Sequence, residues 1–507
     1  MRKLFKVITS RLLWSVLLIG FEFFLMVYLV FWAAYARGYY IYFAILSAFV
    51  TVFVLTRKES PSYKVVWIAL ASVFPTLGGV LYLLFGNKKI GHRAELRLKD
   101  YINSHLTLSK DVEEMDETRK LLQKDGDVRL ANYIYNMTGL PAYNNTSAVY
   151  FPTGEEFFSD MFSSLKKAQR YIFIEYFIIG LGEVWNKTLE ILKCKVEEGV
   201  DVRLIYDDMG SINAVPIHYE KVLRSYGIKA KVFNPVKPHM NPRLNFRDHR
   251  KILSIDGEVC YTGGLNLADE YANREIRFGY WKDNAIKVEG EACFSLTRLF
   301  LETWCSLSKE SVDLESYRPQ RRVESDGIVQ VFGTSPFFPV PMGENAYLNI
   351  INSARRYVWI STPYLIPDDK LTDALCMAAE SGIDVRIVTP NYPDKKQVHE
   401  VTRSNYEYLL QAGVKIYEFT PGFVHSKMFL SDDERAIVGT TNLDYRSFFL
   451  HFELSVAFYG SSIITDVKKD FEKIFDLSKE MQAGANEKIN PIRKAFRYFY
   501  KLFSPAL

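Results

Sequence analysis

Two tandem α/β domains related by a pseudo-twofold axis, standing behind N-terminal transmembrane helices, are predicted by three features of the 507-residue chain. A long motif is spelled twice, the β-branched and helical stretches around each copy recur in the same order, and three apolar runs occupy the N-terminal region. Each domain reads as β-α-β-α-β followed by a motif-bearing strand.

In chain order, residues 1–90 form the membrane-anchoring region. Residues 12–35 are apolar apart from Ser15, Gly20 and Glu22. As a helix they are long enough for a hydrocarbon core of roughly 30 Å. Arg2, Lys3, Lys6 and Arg11 ahead of them imitate a signal peptide, but the run is too long for one and another follows at once, so an uncleaved anchor is expected. Residues 39–55 make the second transmembrane candidate. The third run, 65–85, carries Pro75, Gly78 and Gly79 near its middle, which suits a re-entrant hairpin. Basic clusters at 2–11, 57–64 and 88–97 can all face the cytoplasm only if that third run does not cross. A multi-pass protein with its polar domains on the cytoplasmic side is therefore expected. Residues 91–140 turn polar and read as a helical connector without chemistry.

The repeat fills 141–315 and 316–480. Residues 168–174 (AQRYIFI) answer 354–360 (ARRYVWI), 199–205 (GVDVRLI) answer 382–388 (GIDVRIV), and 227–229 answer 413–415. Residues 481–507 form a basic, aromatic tail, readable as an interfacial helix or as a helix packed on the second domain.

The motif itself is H-x-K-x4-D. It reads His249-Arg250-Lys251 with Asp256, then His425-Ser426-Lys427 with Asp432. A turn of small residues ends in Asn266 or Asn442, 17 positions after its histidine in both copies. A histidine and a lysine two apart on an extended chain share a face, which puts a nucleophile or proton carrier beside a fixed cation. Neither half holds both histidines, so a site using two lies at the interface, and the fused duplicate replaces a homodimer.

Cleaving a phosphodiester requires a nucleophile, a proton for the leaving alkoxide and positive charge on the non-bridging oxygens. Two histidines and two lysines supply all three, with Asn266 and Asn442 as further phosphate-binding donors. Asp256 and Asp432 complete the catalytic motif, more as stabilisers of their turns than as substrate contacts. To fix the imidazole tautomers, Glu453 is expected beside His425 and Asp283 beside His249. No cofactor or metal is required: the lysines carry the charge, and Asp207-Asp208 reads as a turn. The formal net charge of +4, from 63 basic and 59 acidic residues, argues against nucleic acid and favours an anionic membrane surface. The five cysteines show no C-x-x-C spacing and read as buried thiols in a reducing compartment.

With Asn245-Phe246-Arg247-Asp248, Gly279-Tyr280-Trp281-Lys282-Asp283 and Asn442-Leu443-Asp444-Tyr445-Arg446-Ser447-Phe448 around these motifs, the chain resembles the phospholipase D superfamily, and within it the bacterial cardiolipin synthases. The resemblance implies two phospholipase D-like domains and transfer of a phosphatidyl group between two phosphatidylglycerol molecules through a phosphohistidine, in the bacterial cell membrane. It also implies His249 as nucleophile and His425 as general acid and base. A hydrolytic phospholipase D, or a transferase using another alcohol, is the enzymatic alternative. A non-enzymatic scaffold is disfavoured because both motifs are complete.

Overall fold

The computed structural model describes residues 11–57, 61–86, 109–237, 242–321, 323–484 and 490–502. The basic clusters at 2–11 and 88–97, apart from Arg11, and the start of the connector lie outside the described residues.

Each domain is built on one mixed sheet, and the two sheets share a strand order. In the first it runs Thr146–Phe151, Ala285–Gly290, Val259–Gly263, Lys251–Ile255, Tyr171–Tyr176, Asp201–Asp207, Lys229–Phe233. The second repeats it as Ile328–Thr334, His451–Tyr459, Arg435–Gly439, Met428–Ser431, Tyr357–Ser361, Asp384–Pro390, Lys415–Phe419. The last three strands of each series are parallel, joined through helices whose inner faces are apolar. Helix Glu183–Glu197 buries Val184, Trp185, Ile191 and Leu192, and its counterpart Asp369–Glu380 buries Leu371, Ala374, Leu375 and Ala378. Asp368 caps the latter by accepting the Leu371 amide at 3.0 Å.

Helix Ala292–Ser308 is buried on every side from Ala292 to Ser306. A helix buried all round has packing partners on both faces, and here one continuous core takes side chains from both sheets. Arg298, within that helix, is fully buried and is neutralised by Asp111 at 3.1 Å and Glu302 at 3.0 Å. The two halves are thereby one packed body.

The domain boundary at 141 needs correction. Ala142–Tyr143 pairs antiparallel with Ile328–Thr334 and extends the second sheet, and Ser478–Glu480 closes its far edge. Helix Asp125–Thr138, expected as part of a connector, inserts Leu130, Ala131 and Ile134 into the second domain's core. Its partners lie some 200 residues further on, out of reach of local pattern. Among the cysteines, Cys194 is exposed rather than buried, because it falls on the outer face of Glu183–Glu197.

Among the described residues of the N-terminal region one helix, Leu12–Ala36, is long and apolar enough to cross a membrane. The next, Tyr40–Thr56, is a 17-residue helix. Its length of about 26 Å falls short of a full hydrocarbon core. The third apolar run is a broken pair: helix Pro61–Val73, a turn at 74–77, then Gly78–Leu81 and a π-helical turn Tyr82–Gly86. Tyr63 near its entrance donates to the Gly86 carbonyl near its exit at 3.1 Å, so the run turns back on itself. Ser47 pins the break, donating to Pro75 O at 2.6 Å and accepting from Gly79 N at 2.8 Å. A Cβ on Gly78 would lie 2.4 Å from the Ala71 Cα, so the two arms approach too closely for a larger residue.

Candidate active site

Both histidines stand at the same place in their domains, just ahead of the strands Lys251–Ile255 and Met428–Ser431. These strands run antiparallel to the first strand of the parallel set, so each histidine lies at the carboxyl edge of that set. That edge is where open α/β sheets bind ligands.

What brings the two together is an exchange of short strands. Arg247–Asp248 leaves its own sheet and pairs parallel with the start of His451–Tyr459 in the second domain, and the His249 amide donates to Phe452 O at 2.9 Å. Reciprocally, Gly422–Val424 pairs parallel with Tyr280–Lys282 of the first domain, and the His425 amide donates to Lys282 O at 2.7 Å. In each case the next residue beyond that carbonyl is a carboxylate. Buried Asp207 steadies the first exchange, accepting from the Asp248 amide at 3.0 Å and from Arg247 at 3.1 Å.

The expected carboxylate pairing is therefore reversed. His249 Nδ1 donates to Glu453 at 2.9 Å, and His425 Nδ1 donates to Asp283 at 2.6 Å. Asp283 precedes Ala285–Gly290, which is separated from the His249-bearing strand by Val259–Gly263. Two strand spacings of roughly 5 Å put His249 beyond its reach. Glu453 stands in the same relation to His425. Each carboxylate serves the histidine of the other domain. The unequal spacings from the asparagines follow from what intervenes: a 3-10 turn, Asp269–Ala272, and the strand Tyr280–Lys282 before Asp283, but only the short helix Tyr445–Phe449 before Glu453.

The two clamps differ in detail. Glu453 also accepts from Ser447 Oγ at 2.7 Å and from Thr440 Oγ1. In the first domain Gly264 replaces the threonine, and a Cβ there would sit 1.9 Å from Asp283 Oδ1. The shorter carboxylate is seated flush against that glycine and accepts the Asn284 amide at 2.9 Å.

Lys251 Nζ donates to the His249 carbonyl at 2.6 Å, and Lys427 Nζ to the His425 carbonyl. All four side chains are buried. Burial is the first cause of their shifts: His249 falls to about 3 and His425 to about 4, while Lys251 falls to about 8 and Lys427 to about 7. Facing cations and histidines hold Glu453 and Asp283 below their ordinary values despite burial. The carboxylates are thus ionised and the imidazoles neutral. Each Nδ1 carries its proton toward a carboxylate and each Nε2 keeps a free lone pair.

Other predicted positions lie elsewhere. Asp256 and Asp432 end their strands in left-handed turns at φ 55° and 59°. Asp256 accepts the amides of Gln169, Arg170 and Tyr171, and Asp432 those of Arg355, Arg356 and Tyr357. They lie at the opposite end of the motif strand from the histidines, so a place for them in the catalytic set is corrected to a structural one. Asn266 bridges its own domain, accepting from Ile178 N at 3.0 Å and donating to Tyr271 Oη at 2.7 Å. Asn442 differs: its Oδ1 is buried without a hydrogen-bond partner.

Sequence reasoning missed the aromatic lining. Phe177 packs edge-on against His249 at 5.1 Å, and Trp281 lies 5.3 Å from His425. It also missed His451, whose ring centre is 5.7 Å from that of His249. Two residues before Glu453 on one strand, it points the same way, and that alternation was the available signal. Among the described residues His249, His451 and Glu453 are grouped closely enough to hold a metal ion. Glu453 is already committed to three donors, and two lysines adjoin the site, which disfavours a further cation there.

The model of a phospholipase D-like domain of cardiolipin synthase matches residues 161–288 and again 347–475. A cardiolipin synthase of Halalkalibacterium halodurans is 35% identical over 462 residues, 89% of this chain and 90% of that protein. This chain belongs to the cardiolipin synthase family. Cardiolipin synthase 2 of Bacillus cereus is 34% identical over 90% of this chain and 88% of its own length. Residues 45–87, covering the hairpin, match the phospholipase D-nuclease N-terminal family. Phosphatidylserine synthase of Haemophilus influenzae, 15% identical, superposes with a TM-score of 0.58 over 75% of this chain and the whole of that one, which shows the shared fold.

Proposed function

We propose that the protein transfers a phosphatidyl group from one phosphatidylglycerol to the free hydroxyl of a second, giving cardiolipin and glycerol. The observation that carries this reading is the crossed clamp: each histidine is oriented by a carboxylate of the other domain, so both act in one site. His249 Nε2 attacks phosphorus and displaces the glycerol alkoxide, which takes its proton from His425. The bound phosphodiester brings negative charge beside the imidazoles, which raises their proton affinity and supplies His425 with the proton it lacks in the empty site. Lys251 and Lys427 hold the non-bridging oxygens. In the second half, neutral His425 takes the proton of the incoming lipid hydroxyl as that oxygen displaces His249 from phosphorus. Transfer prevails over hydrolysis because the buried, aromatic-lined site excludes water and admits lipid.

The test is the product ratio with labelled phosphatidylglycerol in mixed micelles. Cardiolipin and glycerol should rise together in equal amounts; phosphatidic acid as main product would make the protein a hydrolase. Base-quenched enzyme should carry lipid label, absent in His249→Ala and retained in His425→Ala, and the reverse pattern would exchange the two roles.

The turned-back hairpin supports a cytoplasmic site, with Leu12–Ala36 crossing, the shorter Tyr40–Thr56 crossing where the bilayer thins around it, and the third run entering and leaving on one side. Exposed Cys194 is a native reporter. It should react with an impermeant maleimide only after cells are permeabilised, and labelling of intact cells would place the domains outside.

A further inference from the structure

The C-terminal helix Pro491–Leu502 packs on helix Lys396–Ser404, where Arg497 donates to Glu400 at 2.8 Å. Arg493 reaches the same carboxylate. These contacts use one face. An adjacent face carries Ile492, Phe496 and Phe499, spaced i, i+4 and i+7, and all three are more than half exposed. Lys494 and Lys501 lie on the side away from that stripe, the distribution of a helix lying in a membrane interface.

Its position in the fold says what the stripe meets. Helix Lys396–Ser404 follows the carboxyl end of Asp384–Pro390, so the C-terminal helix stands at the edge of the second sheet that carries His425. Its Lys501 is within electrostatic range of Asp369, which in turn lies within range of Tyr445, and Tyr445 is hydrogen-bonded to the backbone of Tyr63 in the membrane hairpin. The C-terminal end of this helix thus lies toward the part of the second domain that meets the membrane hairpin. The equivalent edge of the first domain presents its own apolar tips. Leu181, Ile217 and Ile276 are 54%, 61% and 81% exposed. They sit on loops held together by the Leu181 amide on Ala214 O at 3.2 Å and by the Arg274–Glu183 ion pair.

We propose that these two apolar surfaces bed the mouth of the site on the lipid bilayer, so that substrate enters from the membrane without passing through water. The stripe belongs to the second domain and the three tips to the first, each at the sheet edge that carries its histidine. An apolar stripe held in the headgroup region keeps the cleft at the depth of lipid phosphates.

The test uses the full chain in nanodiscs of phosphatidylglycerol and phosphatidylethanolamine, with nitroxides at Phe496→Cys, Ile276→Cys and Lys494→Cys in a Cys194→Ser background. Positions 496 and 276 should be rich in oxygen collisions and at least about fivefold poorer in nickel-chelate collisions than 494, as for apolar residues below the headgroups. Equal nickel access at all three would overturn the proposal. Exclusion of both reagents at 496 would also overturn it, by showing a protein partner such as a second copy on the stripe. Phe499→Cys gives a second reading of the helix if Phe496→Cys does not fold. None of these signals depends on turnover, so a failed product assay and a failed docking test are separate results.

Discussion

At the scale of residues, the site is a set of ionisable groups whose charges are set by burial first and by each other second. The histidines are neutral and ready as bases at every pH above about 5, since their values lie near 3 and 4. The lysines lose charge as pH rises through about 7 and 8. In the empty enzyme the phosphate clamp therefore weakens on the alkaline side, and kcat/KM should fall above about pH 7 with the limb following Lys427. Lys427→Arg keeps its charge and should move that limb upward while lowering the maximum rate, because the guanidinium fork does not reproduce a point charge. An alkaline limb unmoved by this substitution would separate Lys427 from the charge work. The histidines and lysines of this set are visible in sequence spacing. The pairing of Glu453 and Asp283 was not, because spacing reports neighbours along a strand whereas the carboxylates act between sheets.

At the scale of elements, the motif aspartates hold turns. Asp432 takes three backbone amides at the junction where Tyr357–Ser361 begins, and it does so from a left-handed conformation. Asp432→Ala should cost on the order of 3 kcal/mol, from lost charge-assisted bonds and stranded donors. Asp432→Asn, which retains an acceptor and tolerates that conformation, should cost less. Thermal unfolding of the purified protein compares them; a fully stable Asp432→Asn without turnover would return the residue to the chemistry. The βαβαβ units were legible because each helix buries a regular apolar face. Helix Asp125–Thr138 and the strand Ala142–Tyr143 were not, since the core that buries them comes from the far domain. The third apolar run was legible as a hairpin through Pro75, Gly78 and Gly79, the residues at which its helix breaks.

At the scale of the whole molecule, duplication supplies two half-sites, and the exchanged strands join them. The shared core around Ala292–Ser308 fixes the halves, so the clamps need no closure to form. The pseudo-twofold relation was readable from the repeat; the strand exchange was not, because Arg247–Asp248 and Gly422–Val424 are too short to announce a partner. The central claim is that two histidines in two domains make one site. The direct measurement is the initial rate of cardiolipin formation by His249→Ala, His425→Ala and the double variant, each confirmed folded. One composite site predicts that either single variant already falls to the level of the double, because groups acting as a unit are not additive; singles that each keep about half the rate would contradict it.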